Sequence, residues 1–401
     1  MFDELIIKVM PEMIKFFKLI RMDFYFTKPQ IRHFQAFVIA MMLRGFSGKM
    51  NDVAELSLNT HRTNCGRFLN SDSWEELYLL RVLNKHVIDT IFQKSKQTKH
   101  PIYIIIDDTI CEKAKPSSQV KSPIYGCSFH KSHLKNKKVY GQQFVCCMLR
   151  CGDLVLPYNI VLYEKAKSKI DIAKDIIVSL PNPPHEGYVV TDSWYSCQAL
   201  FEASKSRGYH FIGTIKSNRL VFPRGFRKKG IKIGTYARHL KLCDFDLVTV
   251  NGRKYHVYTY LGRVNGQKKV KITISWPKGC FGVEHAMKAF ISTDININAG
   301  QLLSHYMKRW PVEVFFREAN GNLGMKQCQV RSKKAVIRYQ YILMLSYIFC
   351  RMEAKNNQIK FGSRKRKIQT IIEKFRIAWI FEQAQKGADL ADVFETFKVA
   401  S

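Results

Sequence analysis

Through the first quarter of the chain apolar residues recur at helical spacing, with Ile31, Phe34, Phe37, Val38 and Met41 along one face. The pattern predicts a helical N-terminal domain over residues 1–97. Within it, Phe34 to Arg44, Asn51 to Ser57 and Thr60 to Leu69 read as three helices, with a break at Gly45 to Gly48. That is a helix-turn-helix rhythm. An Asn59 or Thr60 cap would open the third helix, and Arg62 and Arg67 would stand on it as residues of a recognition helix stand toward a major groove. Ordinary helical bundles carry surface arginines as well, so the residues alone leave both readings open.

From Pro101 the period changes. Ile102 to Asp107, Val139 to Arg150 and Leu154 to Tyr163 read as strands, followed by a helix (Ile170 to Leu180), a strand (Gly187 to Asp192), a helix (Cys197 to Arg207) and a strand (Tyr209 to Lys216). Three consecutive strands and then alternating helix and strand predict an α/β fold with an RNase H-like mixed sheet, its first part over residues 98–216. Residues 217–293 form a β-rich insertion in which Asn251-Gly252 and Asn265-Gly266 separate alternating runs such as Lys254 to Tyr260 and Lys268 to Trp276. Each Asn-Gly predicts a tight hairpin. Helical periodicity returns over residues 294–401, broken by the basic stretch Lys360 to Lys367.

Charge then narrows the function. In 401 residues, 65 Lys plus Arg stand against 32 Asp plus Glu, a formal net charge of +33 spread along the chain. Such a surface seeks polyanions, and nucleic acid is the natural one, because cations displace condensed counterions from its phosphates. The hydrophobic share of 46% fits a folded core. The longest apolar stretches, Phe37 to Leu43 and Tyr339 to Cys350, are too short to span a bilayer, and the N-terminus has no signal-peptide pattern. The eleven cysteines have no framework spacing and read as reduced thiols of a cytosolic protein. Cys127, His130 and His133 have gaps that suit zinc, but no second pair completes a site.

In so basic a chain, carboxylates at the ends of apolar strands stand out. Asp107 and Asp108 close the run Ile102 to Ile106, and Asp192 closes Tyr188 to Thr191. Singly, each is read as well as a turn or helix cap. Together they place two acids at one edge of a sheet. Phosphodiester chemistry uses two metal ions roughly 3.5–4 Å apart, one to make the nucleophile and one to neutralise the leaving oxygen, and magnesium takes carboxylate oxygens. A third acid, Glu313, follows Tyr306 and Arg309; on a continuous helix these and Asn320 share a face. An i,i+4 ion pair between Arg309 and Glu313, worth a few tenths of a kcal/mol, is the plainer reading, and Pro311 breaks, kinks or starts the helix.

These residues resemble the DDE transposases of bacterial insertion sequences, in the group marked Tyr-x2-Arg-x3-Glu-x6-Lys. Here that signature reads Tyr306, Arg309, Glu313 and then Asn320 in place of Lys, with Lys326 or Arg317 as substitutes for the lost cation. Asp107-Asp108-Thr109 matches the Asp-x-Thr of the first acid and favours Asp107 over Asp108. Val-Val-Thr-Asp192-Ser-Trp-Tyr, Phe290 to Asp294 and Leu323-Gly324 add to the likeness, which spans about residues 30 to 350. The resemblance implies that Asp107, Asp192 and Glu313 hold magnesium, with manganese able to substitute. It implies DNA contacts by Tyr306, Arg309, Asn320 or Lys326, binding to terminal inverted repeats and target DNA, and a homodimer pairing two ends beside the bacterial nucleoid. A nuclease of the same fold that never joins DNA, and an inactive relative that only binds it, are the rival readings.

Overall fold

The computed structural model describes residues 2–4, 6, 10–57, 61–132, 135–264, 267–352 and 360–397. Helices come first: α1 (Phe2–Glu4), α2 (Pro11–Leu19), α3 (Met22–Tyr25), α4 (Lys28–Met42), α5 (Met50–Ser57), α6 (Arg62–Asn70) and α7 (Glu76–Thr98). The central part runs β1 (Ile102–Glu112), β2 (Ser128–Ser132), β3 (Lys137–Cys151), β4 (Leu154–Leu162), α8 (Lys169–Ser179), β5 (Gly187–Thr191), α9 (Gln198–Ser206) and β6 (His210–Ile215). A strand-rich stretch follows with β7 (Leu220–Phe222), β8 (Ile231–Lys232), α10 (Ile233–His239), β9 (Asp246–Val250), β10 (Arg253–Val264), β11 (Gln267–Pro277) and β12 (Lys288–Ser292). Helices α11 (Ala299–Met307), α12 (Pro311–Asn322), α13 (Lys333–Met352), α14 (Phe361–Gln385) and α15 (Leu390–Phe397) end the chain.

The strands form one mixed sheet in the order β2-β3-β1-β5-β6-β12-β11-β10-β7-β8, with β4 beside β3 and β9 beside β10. β1, β3 and β4 pair antiparallel, as consecutive strands joined by short connections do, whereas β1, β5 and β6 are parallel because α8 and α9 carry the chain back between them. This is the mixed α/β sheet that the strand order predicts. β3 is buried almost without interruption from Gly141 to Leu149, so its alternation is lost, as expected of a strand covered on both faces.

One expectation is corrected. β1 does not end at its acids: it continues to Glu112 against β3, and only its parallel pairing with β5 stops, at Ile106 opposite Thr191. The strand-rich stretch is continuous with the central sheet, since β12 pairs antiparallel with β6 and carries β11 and β10 with it. Asn251 and Gly252 both have positive φ, as a two-residue turn with the twist of a hairpin requires, and they join β9 to β10. The Asn265-Gly266 turn lies outside the described residues.

The apolar stretch Tyr339 to Cys350 belongs to α13, which is buried along most of its length against β4, α4, α6 and α7. No helix among the described residues is long and apolar enough to cross a membrane. α4 begins earlier than Phe34 because Thr27 and Gln30 form a capping box with Pro29 in the first turn. Where the loop between α4 and α5 meets the end of α12, Gly48 and Gly324 touch backbone to backbone, and a Cβ on Gly48 would lie 2.7 Å from the Gly324 carbonyl oxygen. Both have positive φ, so glycine is needed twice over.

Candidate active site

Asp107 and Asp192 each come one residue after the last parallel pair between β1 and β5, Ile106 opposite Thr191. Strand registry therefore puts the two acids side by side where β5 leaves the sheet. The Asp108 backbone N–H donates to Asp107 Oδ1 (2.9 Å), and the Trp194 N–H donates to Asp192 Oδ1 (2.9 Å). The turn that carries Asp192 is pinned to β6 by the Ser196 hydroxyl, which donates to the Thr214 carbonyl at 2.6 Å. Gly213 makes that approach possible, because a Cβ there would come within 2.4 Å of Ser196 Oγ.

Glu313 reaches the same place from a different element. Tyr306, Arg309 and Glu313 do not lie on one continuous helix: α11 ends at Met307, and Pro311 starts α12, where its missing N–H and fixed φ cost nothing. Arg309 sits in the connecting turn. Its guanidinium donates to Asp107 Oδ2 (2.5 Å) and also to Glu313 Oε1, joining an acid of the sheet to an acid in the first turn of α12. The i,i+4 pair foreseen as the plain alternative is thus present, but as half of a bridge that includes Asp107.

Electrostatics follow from this packing. Burial pushes the Asp107 carboxyl up to about 6, and the charge of Asp192 adds to the rise, while Arg309 and the Asp108 N–H oppose it. Among the described residues no three His, Cys, Asp or Glu side chains are gathered as a metal-binding group, and between Asp107 and Glu313 the cation is Arg309. The donor set nevertheless suits a hard divalent ion. It offers carboxylate oxygens only, and two of its acids are drawn to a single positive centre.

Asp108 belongs to the other face of β1, as strand alternation requires. Its carboxylate accepts from Lys169 Nζ (3.0 Å), the Tyr195 hydroxyl (2.9 Å) and Gln143 Nε2 (2.5 Å). Every one of these partners lies on α8, on β3 or just before α9. Asp108→Ala is therefore expected to strand a buried tyrosine hydroxyl and an ammonium, lowering stability by about 1–3 kcal/mol while retaining measurable cleavage. Loss of all cleavage with unchanged melting would instead make Asp108 the functional acid.

The remaining expected residues divide. Tyr306 packs its ring on Phe290 (4.9 Å between centroids) and adds its influence to the field at Arg309. Asn320 has a buried Oδ1 with no hydrogen-bond partner among the described residues. Lys326 lies near the far end of β1, where its charge acts on Cys111 and Glu112 rather than on the acids. Arg62 and Arg67 are exposed on α6. The α6 cap is His61, whose Nδ1 accepts from the Thr63 N–H, and not Asn59 or Thr60, which lie outside the described residues. His133 also lies outside them, and His130 pairs with Ser128 Oγ (3.0 Å).

Lys169 escaped the sequence reading, and Tyr195 and Trp194 entered it only as neighbours in the Asp192 motif. Lys169 offered a signal: a cation in the first position of a helix opposes the dipole, and here Asp108 compensates it. Trp194 is half exposed beside Asp192, with the Lys169 and Lys216 ammonium groups 4.5 and 5.1 Å from its ring centre. Nothing in its local pattern separated it from a core tryptophan.

Compared with known proteins, residues 99–349 match the family described as Transposase DDE domain. No curated protein matched the chain.

Proposed function

The chain belongs to the Transposase DDE domain family, and on that premise we propose that it cuts DNA at the ends of a bacterial insertion sequence and joins the freed strands to target DNA. The observation that supports this most is that Asp107 stands beside Asp192 where β5 leaves the sheet and is joined to Glu313 through Arg309. Asp107, Asp192 and Glu313 would hold magnesium, or manganese in its place. Bound there, the ions supply the activated attacking oxygen and the charge that neutralises the leaving one. The protein's part is to fix the acids. Backbone N–H groups orient Asp107 and Asp192, and the rigid start of α12 orients Glu313.

DNA is brought by the net charge of +33, which gives a salt-sensitive attraction without sequence preference. Discrimination of the terminal inverted repeats is assigned to the helical residues 1–97 through Arg62 and Arg67. The strand-rich residues 217–293 are the insertion that precedes the catalytic helix, and residues 294–401 supply Glu313 and the C-terminal helices. A homodimer on paired ends, working beside the nucleoid in the cytoplasm, completes the proposal.

A strand-transfer assay with labelled end duplexes tests it: wild type should yield joined as well as nicked products. Nicking without joining would identify a nuclease. In the same assay Arg62→Ala with Arg67→Ala should bring cognate and scrambled ends closer together, because each base-edge contact is worth about 1–3 kcal/mol of discrimination. An unchanged ratio would assign α6 to scaffold.

A further inference from the structure

Arg309 is the cation that joins two of the acids, Asp107 and Glu313. We propose that Arg309 is a resident counter-cation that keeps the site closed to metal until a DNA phosphate draws the guanidinium away, so that metal loading is coupled to DNA binding. The inference rests on the metal-dependent reading given above.

One guanidinium satisfies Asp107 Oδ2 and Glu313 Oε1 together, and its side chain is only 15% exposed. A divalent ion held by Asp107 and Glu313 would compete with the guanidinium for these carboxylates, and beside an undisplaced guanidinium it would meet positive charge at close range in a poorly screened site. Arg309 must therefore leave or turn before the acids can be shared. It sits in a turn between two helices and not within either, so a change of its side chain need not break helical hydrogen bonds. A phosphate oxygen pair offers a guanidinium the same two-pronged acceptor as the carboxylates it would give up. DNA then does two things at once: it removes the blocking charge and receives it. By linkage, metal must strengthen DNA binding by the same factor by which DNA strengthens metal binding.

The test measures manganese binding by the loss of the free-ion electron paramagnetic resonance signal, on the full chain, with and without a short DNA duplex. Wild type alone should bind weakly, and duplex should tighten binding by about tenfold. Arg309→Gln should bind manganese about tenfold more tightly than wild type without DNA, and duplex should add little further. Adding Asp107→Asn to Arg309→Gln should remove the gain. Arg309→Lys, which keeps a positive charge in place, should stay closer to wild type, and it serves if the glutamine variant does not fold. The inference is overturned if Arg309→Gln binds manganese no more tightly than wild type, or if duplex tightens both equally. Absence of manganese binding in every protein, with duplex present, would overturn the metal-dependent reading along with it.

Discussion

Replacing Asp107, Asp192 or Glu313 with alanine is expected to lower metal-dependent DNA cleavage by at least about a thousandfold, because a bound ion contributes several kcal/mol of charge stabilisation and each ~1.36 kcal/mol is tenfold in rate. DNA binding should remain largely intact, since the overall positive charge that attracts phosphates is untouched or raised by one unit. The three variants should differ in a second respect. Asp107→Ala and Glu313→Ala each release half of the Arg309 bridge, whereas Asp192→Ala leaves both ion pairs in place and removes a charge that Asp107 feels together with the acceptor of the Trp194 N–H. A nicking assay on one end duplex, with a gel shift as the control, decides the matter. Normal cutting by Asp192→Ala would end the assignment, because the register of β1 and β5 is the firmest structural reason for pairing it with Asp107.

The second large effect concerns a residue that takes no part in chemistry. Arg338 on α13 is fully buried, and its guanidinium donates to the carbonyls of Phe68 (3.0 Å), Leu69 (3.2 Å), Asp72 (3.0 Å) and Trp74, and pairs with Glu76 (3.3 Å). It also lies over the Trp74 ring, 4.1 Å from its centre. These carbonyls end α6 and lead into α7, where no intrahelical donor remains for them. Arg338→Ala removes the guanidinium donor from the Leu69, Asp72 and Trp74 carbonyls and from Glu76, while the Phe68 carbonyl keeps the Trp74 indole N–H, and it should cost about 3–5 kcal/mol. The melting temperature should fall by roughly 5 °C. Since the same contacts seat α6 on the body of the protein, end discrimination should weaken along with stability. A melting temperature within about 2 °C of wild type would show that the network contributes little to stability.

What the sequence determined by itself was local. Helical spacing marked α4 to α6, and apolar runs located the central strands. The doublet Asn251-Gly252 marked its turn, because only residues tolerant of positive φ close so tight a hairpin. The acids were legible as charges placed at the ends of apolar runs, where burial makes an unpaired carboxylate costly and so informative. The family too could be read from the spacing of Tyr306, Arg309 and Glu313 with the two aspartates, and the match over residues 99–349 agrees. Tertiary structure decided the rest, since pairing between distant segments leaves no periodic trace. It carried β1 past its acids, joined β12 to β6, set Asp108 among Lys169, Tyr195 and Gln143, and turned Arg309 from one half of a surface pair into the bridge between Asp107 and Glu313. Each is a contact between groups far apart in the chain, fixed by sheet register and by the angle at which a helix arrives, and neither quantity is written in local pattern.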